Sequence, residues 1–140
     1  MIVVDTNIIA YALIKGEHTD LARKVREIDP QWRVPFLWRY EFLNILTIYV
    51  HRSGLSEKQA LDIWERAVET FSVCEHSVHM SMSLKISCEY KITAYDAQFI
   101  LLAQSLNTFL VTQDKILLKI IPKSAIAMGN FIAQSNDKKQ

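Results

Sequence analysis

Two short stretches of the chain are wholly apolar and stop abruptly at polar residues. Ile2-Val3-Val4 ends at Asp5, and Phe109-Leu110-Val111 ends at Thr112, with Asp114 two residues further on. Short apolar runs bounded in this way predict strands buried on both faces. Between them the pattern changes to a helical period. Asp5-Thr6-Asn7 supplies N-cap chemistry for a helix through Ile8–Leu13, and Thr19 or Asp20 can cap a second through Leu21, Ala22, Val25 and Ile28. A short strand is expected around Val34–Phe36. The strongly apolar segment Leu37–His51 is followed by Gly54 and by the capping-box signature Ser56-Glu57-Lys58-Gln59, which opens an amphipathic helix carrying Leu61, Trp64, Ala67, Val68 and Phe71. Together these predict a helical hairpin. Ser72–Glu75 reads as a short edge strand, Ser77–Tyr90 and Tyr95–Leu106 as helices joined at Lys91–Ala94, and Ile116–Ile121 as a short helix stopped by Pro122. Ala125–Met128 returns a last strand, and the polar tail Gln134–Gln140 is expected to fray.

Strands alternating with helices predict an α/β domain with mainly parallel pairing, right-handed crossovers and helices on both faces of the sheet. There is no internal repeat and no linker, so one domain is expected over residues 1–133 with the polar tail at 134–140. In such sheets ligands gather beyond the carboxyl ends of the strands. Asp5 and the pair Thr112 and Asp114 would sit there.

Composition narrows the chemistry. The chain has 140 residues, half of them hydrophobic and 22% charged, enough apolar material for one sizeable core. Three scattered glycines exclude a Gly-rich phosphate cradle. The amino terminus lacks a basic region and its apolar run is broken at Asp5, and no run is long enough to cross a bilayer, so a soluble, cytoplasmic protein with no membrane partner is expected. Cys74 and Cys88, in a chain without an export signal, are expected to be reduced thiols. The 16 Lys and Arg nearly balance the 15 Asp and Glu. A long basic footprint is therefore absent, and any nucleic-acid contact must be local.

Four acids stand out by context: Asp5, Glu41, Asp96 and Asp114. Glu41 lies in Leu37-Trp38-Arg39-Tyr40-Glu41-Phe42-Leu43-Asn44-Ile45-Leu46, where helical spacing puts Glu41 and Asn44 on a narrow polar stripe. A buried carboxylate without donors or a cation costs several kcal/mol, roughly, so it calls for a partner. Each acid also has a structural reading. Asp5 and Asp114 can cap the helices after them, Thr93-Ala94-Tyr95-Asp96 fits a capping box, and Glu41 can pair with Arg39 or Arg52 on a solvated face. If all four converge on one mouth, their mutual repulsion calls for divalent cations. Oxygen-only ligands favour Mg²⁺ or Mn²⁺ over Zn²⁺, with substrate phosphates completing the shell. Two such ions about 4 Å apart would suit in-line phosphodiester hydrolysis by an activated water.

The ordered set of an apolar strand with Asp5-Thr6-Asn7, then Tyr40-Glu41-Phe42, Tyr95-Asp96-Ala97 and Leu110-Val111-Thr112-Gln113-Asp114, spanning almost the whole chain, resembles the PIN-domain ribonucleases. It is most similar to the small VapC-type toxins of prokaryotic toxin-antitoxin pairs. The resemblance implies a three-layer α/β/α sandwich, metal-dependent endoribonuclease activity on RNA, a homodimer, and inhibition by a small protein antitoxin. Asp5, Glu41, Asp96 and Asp114 then correspond to the acidic metal-site quartet, Thr112 to its supporting hydroxyl and Asn7 to the polar position after the first acid. Asp5 and Asp96 are the expected direct ligands, with Glu41 and Asp114 acting directly or through water. Lys115 follows Asp114 where some relatives carry a further acid, which makes a second ion less secure. With the four acids assigned to metal, 11 acids face 16 bases, and Arg39, Lys115 and Lys119 are candidate RNA contacts.

Other chemistries are weaker. His76 and His79 with Cys74 and Cys88 supply the count for zinc but fit no standard spacing. Trp32, Trp38 and Trp64 could stack on bases, although aromatics amid apolar helices more often form core or interface. An aspartate-nucleophile phosphatase would want a second acid two residues after Asp5, where Asn7 stands. A catalytically silent PIN-like module binding RNA or protein is the remaining alternative.

Overall fold

The computed structural model describes residues 1–140. Five strands, β1 (Ile2–Val4), β2 (Trp32–Pro35), β3 (Glu75–His76), β4 (Leu110–Val111) and β5 (Ala125–Ile126), form one sheet in the order β3-β2-β1-β4-β5. Every pairing is parallel, with Ile2 opposite Trp32, Val34 opposite Glu75, Val3 opposite Leu110 and Val111 opposite Ile126. Eight helices fill the crossovers and the carboxyl terminus: α1 (Thr6–Leu13), α2 (Thr19–Ile28), α3 (Trp38–Arg52), α4 (Glu57–Phe71), α5 (Met80–Tyr90), α6 (Ala94–Ser105), α7 (Lys115–Ile120) and α8 (Met128–Asp137). Right-handed crossovers put α1–α4 on one face and α5–α7 on the other. The packing of α1 on α2, of α2 on α8, of α5 on α6, and of α6 against β1, β2 and β4 builds the three layers of an α/β/α sandwich.

The central strands are apolar throughout because both of their faces are covered. Ile2, Val3, Val4, Leu110 and Val111 are all buried, as apolar strands of a doubly covered parallel sheet must be. Beside them, Trp32 stacks on Phe71, and Trp38 meets Phe42, Trp64 and Phe71, so β2, α3 and α4 share one aromatic core. Trp32 and Trp38 are therefore core residues and offer no face to a base.

The order of the strands decides where a site can form. The chain leaves β1 toward β2 on one side and leaves β4 toward β5 on the other. The carboxyl ends of β1 and β4 consequently face a crevice between diverging connections, the usual location of ligands in open parallel sheets.

Several local expectations change. Ser72–Cys74 is a 3-10 turn, and the edge strand begins only at Glu75. Helix α5 starts at Met80 and not at Ser77, because the His79 ring nitrogen Nδ1 accepts the Met82 N–H and sets the cap there. Gln134–Asp137 does not fray but continues α8, whose Met128 and Ile132 are buried one turn apart. Its first turn is satisfied from a distance, by Gln113 Oε1 accepting the Met128 N–H. The capping box at Ser56 and Gln59 forms with both of its reciprocal bonds.

Candidate functional site

At the crevice between β1 and β4, each acid is delivered by the first turns of a helix that follows a strand or a tight connection. Asp5 ends β1 and caps α1, its Oδ1 accepting the Ile8 N–H at 3.1 Å. Asp114 follows β4 and caps α7, its Oδ1 accepting from Ile116 and Leu117. Thr93 caps α6, its hydroxyl accepting the Asp96 N–H at 3.0 Å, so Asp96 is held in the first turn. Glu41 lies in the first turns of α3. The capping roles seen for Asp5 and Asp114 are thus real. They do not compete with a role in a site, because capping is what fixes the direction of these side chains.

All four acids line one cavity of about 250 Å³, together with Thr6, Asn7, Asn44, Ile45, Phe99, Leu110 and Leu117. Asn7 and Asn44, on α1 and α3, face the same space. Thr112 is fully buried beneath it. Its hydroxyl donates to Asp5 Oδ2 and accepts the Asp114 N–H, tying the ends of β1 and β4 together at the floor. Thr6 donates its hydroxyl to Glu41 Oε1 at 2.8 Å and so fixes the acid from α3 against α1. Thr6 is a supporting residue that sequence reasoning read only as part of a cap, since nothing local connects it to position 41.

Electrostatics register the crowding. Burial pushes the Asp5 carboxyl up to about 6; hydrogen bonds from Thr112 and Ile8 oppose this, and the charges of Glu41 and Asp96 add to it. Burial also raises Glu41, against the Thr6 hydrogen bond and with the help of Asp96. Asp96 is raised by burial and then by the charge of Asp114. The hydrogen bonds offset only part of this cost, and a cation in the crevice would favour the anionic forms further. No group of three or more His, Cys, Asp or Glu side chains is arranged to hold a metal ion by itself. The donors lining the cavity are carboxylate, amide and hydroxyl oxygens, a set whose chemistry suits a hard divalent cation that completes its shell with water and phosphate oxygens better than it suits a structural zinc.

Two expectations are corrected. Glu41 pairs with neither Arg39 nor Arg52. Arg39 is instead committed to Glu75, donating from Nε and Nη2 to its two carboxylate oxygens at 2.6 Å each, and is not a free phosphate contact. Its guanidinium is held above its ordinary pKa by that bond, and Glu75 is held below its own. Lys115 and Lys119 are exposed one helical turn apart on α7, directly after Asp114. His76, His79, Cys74 and Cys88 form no metal cluster, and both cysteines are free thiols. No helix is long and apolar enough to cross a membrane.

Comparison with known proteins agrees with this geometry. Residues 2–121 match the family described as PIN domain. Among solved structures, the crystal structure of PAE2754 from Pyrobaculum aerophilum superposes with a TM-score of 0.73 at 23% sequence identity, covering 97% of this chain and 89% of that one, a likeness of fold. No curated protein matches. PIN domains are typically nucleases and generally use divalent metal ions. With most of its length matched, the chain belongs to the PIN-domain family.

Proposed function

We propose that this protein is an Mg²⁺- or Mn²⁺-dependent endoribonuclease and the toxin of a toxin-antitoxin pair. One observation carries the reading: acids from four separate segments, at positions 5, 41, 96 and 114, line a single cavity at the carboxyl ends of the central strands. Asp5 and Asp96 are the direct metal ligands of this proposal, and Glu41 and Asp114 join them directly or through water. When bound, the ion supplies charge stabilisation to the phosphoryl oxygens and lowers the pKa of a water to the neutral range.

The chain's own groups do the rest. Thr112 holds Asp5 in its rotamer while anchoring the backbone of Asp114, and Thr6 does the same for Glu41. Glu41, with its Oε2 free of hydrogen bonds and its pKa raised, can accept a proton from an attacking water. Asn7 and Asn44 offer neutral amides to substrate oxygens at the rim without adding charge. RNA is the proposed substrate, and Lys115 and Lys119 its phosphate contacts. A second copy of the chain and a small protein antitoxin are the proposed partners in the cytoplasm. An open apolar groove of about 330 Å³ between α3 and α4, lined by Leu43, Leu46, Val50, Leu61 and Trp64, supports a protein partner of this kind.

The test is incubation of purified protein with total cellular RNA, with and without Mn²⁺ and with chelator, followed by mapping of the cut ends. Defined internal cuts that need Mn²⁺ and vanish in Asp96→Asn are expected. RNA binding without cleavage would instead assign a silent binding module.

A further inference from the structure

Helix α3 has no side-chain cap: Leu37 occupies the cap position in helical geometry and accepts no side-chain role. Its first two residues are held instead by one buried acid from the edge strand. Glu75, whose side chain is only 3% exposed, accepts the Trp38 indole N–H at 3.0 Å and both Arg39 bonds at 2.6 Å. Three charge-assisted bonds from consecutive residues fix both the axial position and the rotation of the helix start. Glu41 stands two residues beyond Arg39, and its own carboxylate is located by a single hydrogen bond, from Thr6. The direction in which Glu41 enters the acidic cavity therefore depends on how α3 is clamped at residues 38 and 39.

We infer that the Trp38–Arg39–Glu75 cluster is a positioning device that aims Glu41 into the metal cavity, so that Glu75 and Arg39 set metal affinity without touching the ion. The inference rests on the proposed metal-dependent function. Its chemistry is bidentate: a guanidinium fork spans both carboxylate oxygens and resists rotation, whereas an ammonium makes a point contact. The clamp crosses from β3 to α3, elements with no backbone hydrogen bond of their own at this place, and it is shielded by Trp38, which is itself fully buried. Groups that orient metal ligands from outside the coordination sphere typically carry about 10- to 100-fold in metal affinity or activity.

The test is Mn²⁺ binding, followed by paramagnetic resonance and calorimetry, with RNA cleavage measured in parallel on wild type, Glu75→Gln, Arg39→Lys and the exchanged pair Arg39→Glu with Glu75→Arg. Arg39→Lys keeps the charge and the fold and guards against a collapsed variant; Ile132→Val on α8 serves as a remote control for loss of stability alone. The expected result is a rise of about tenfold in the Mn²⁺ dissociation constant for Arg39→Lys and Glu75→Gln, with the control unchanged and partial recovery in the exchanged pair. Folded Arg39→Lys with wild-type Mn²⁺ affinity and wild-type cleavage overturns the positioning role and leaves the nuclease reading standing. Wild-type protein that binds no Mn²⁺ overturns both.

Discussion

The buried hydroxyl of Thr112 donates to Asp5 Oδ2 across a sequence separation of 107 residues and accepts the Asp114 N–H at 3.1 Å. One oxygen atom thus sets the spacing of two acids at the ends of neighbouring strands. Thr112→Val removes it with little change of volume, leaving the Asp5 carboxylate and the part-buried Asp114 N–H each short of a partner. Such losses cost about 1–3 kcal/mol each. The Thr112→Val variant is expected to melt several degrees lower and to lose most of its metal-dependent cleavage, while Thr112→Ser recovers both. Equal activity in the Val and Ser variants, measured on the same RNA, would show that the hydroxyl carries no function.

Asp5→Asn should separate stability from activity. Asn keeps the cap on α1, because Asn and Asp are equivalent N-caps. It also removes a charge that burial and the neighbouring acids disfavour, since the Asp5 carboxyl sits near 6 instead of its ordinary 3.8. The charged form at neutral pH therefore carries a penalty of about 2–3 kcal/mol. The metal-free variant is expected to melt at or above the wild-type temperature, and its Mn²⁺-dependent cleavage to fall by at least about 100-fold. A lower melting temperature with cleavage retained would contradict both halves of this expectation.

Much of this architecture was legible in the chain because it is encoded locally. Ile2-Val3-Val4 and Phe109-Leu110-Val111 announce buried strands by composition alone, and Ser56 with Gln59 announces a helix start by spacing; all three form, the second strand one residue shorter, from Leu110. The acids were legible because a strand that ends in Asp, or an apolar helix that carries Glu, violates the surrounding pattern. The supporting contacts were not. Arg39 finds Glu75 36 residues away, and Thr6 finds Glu41 35 away, through the fold rather than through any periodicity. The last helix, Met128–Asp137, was missed for the same reason, its first residue being read as the end of a strand. Its polar end at Gln134–Asp137 reads as a tail, and the Gln113 carbonyl that secures its start lies 15 residues upstream.

The raised acids give the metal-free protein a defined pH response. The folded state binds the Asp5 proton more tightly than the unfolded chain, so this contribution to stability is full below about 4 and is lost as pH rises through about 6. Glu41 and Asp96 shift in the same direction and reinforce it. Glu75 acts oppositely: its depressed pKa gives stability above its ordinary value of 4.5 that fades on acidification. A divalent cation offsets the repulsion only when the carboxylates are ionised. The rise in melting temperature caused by Mg²⁺ or Mn²⁺ is therefore expected to be small at pH 5 and several degrees at pH 7.5, with Asp5→Asn flattening the difference. A metal-induced shift of the same size at both pH values, read by calorimetry, would place the binding elsewhere.

Lys115 and Lys119 provide the last expectation, which concerns the substrate and not the ion. Both are exposed on α7, spaced by four residues on one face, and the helix begins at Asp114 on the rim of the acidic cavity. Arg39 being occupied by Glu75, these two lysines are the cations set by sequence directly beside an acid of the site. A contact to a phosphate of single-stranded RNA contributes roughly 0.7 to the slope of log affinity against log salt. The double variant Lys115→Ala with Lys119→Ala is expected to bind RNA several-fold more weakly at low salt, with a slope reduced by about 1 to 1.4 and Mn²⁺ affinity unchanged. The slope is the decisive quantity, because a general loss of folding would weaken binding without altering the number of counterions released. An unchanged slope would remove α7 from the RNA path and leave the acidic cavity to be reached from the α3 side.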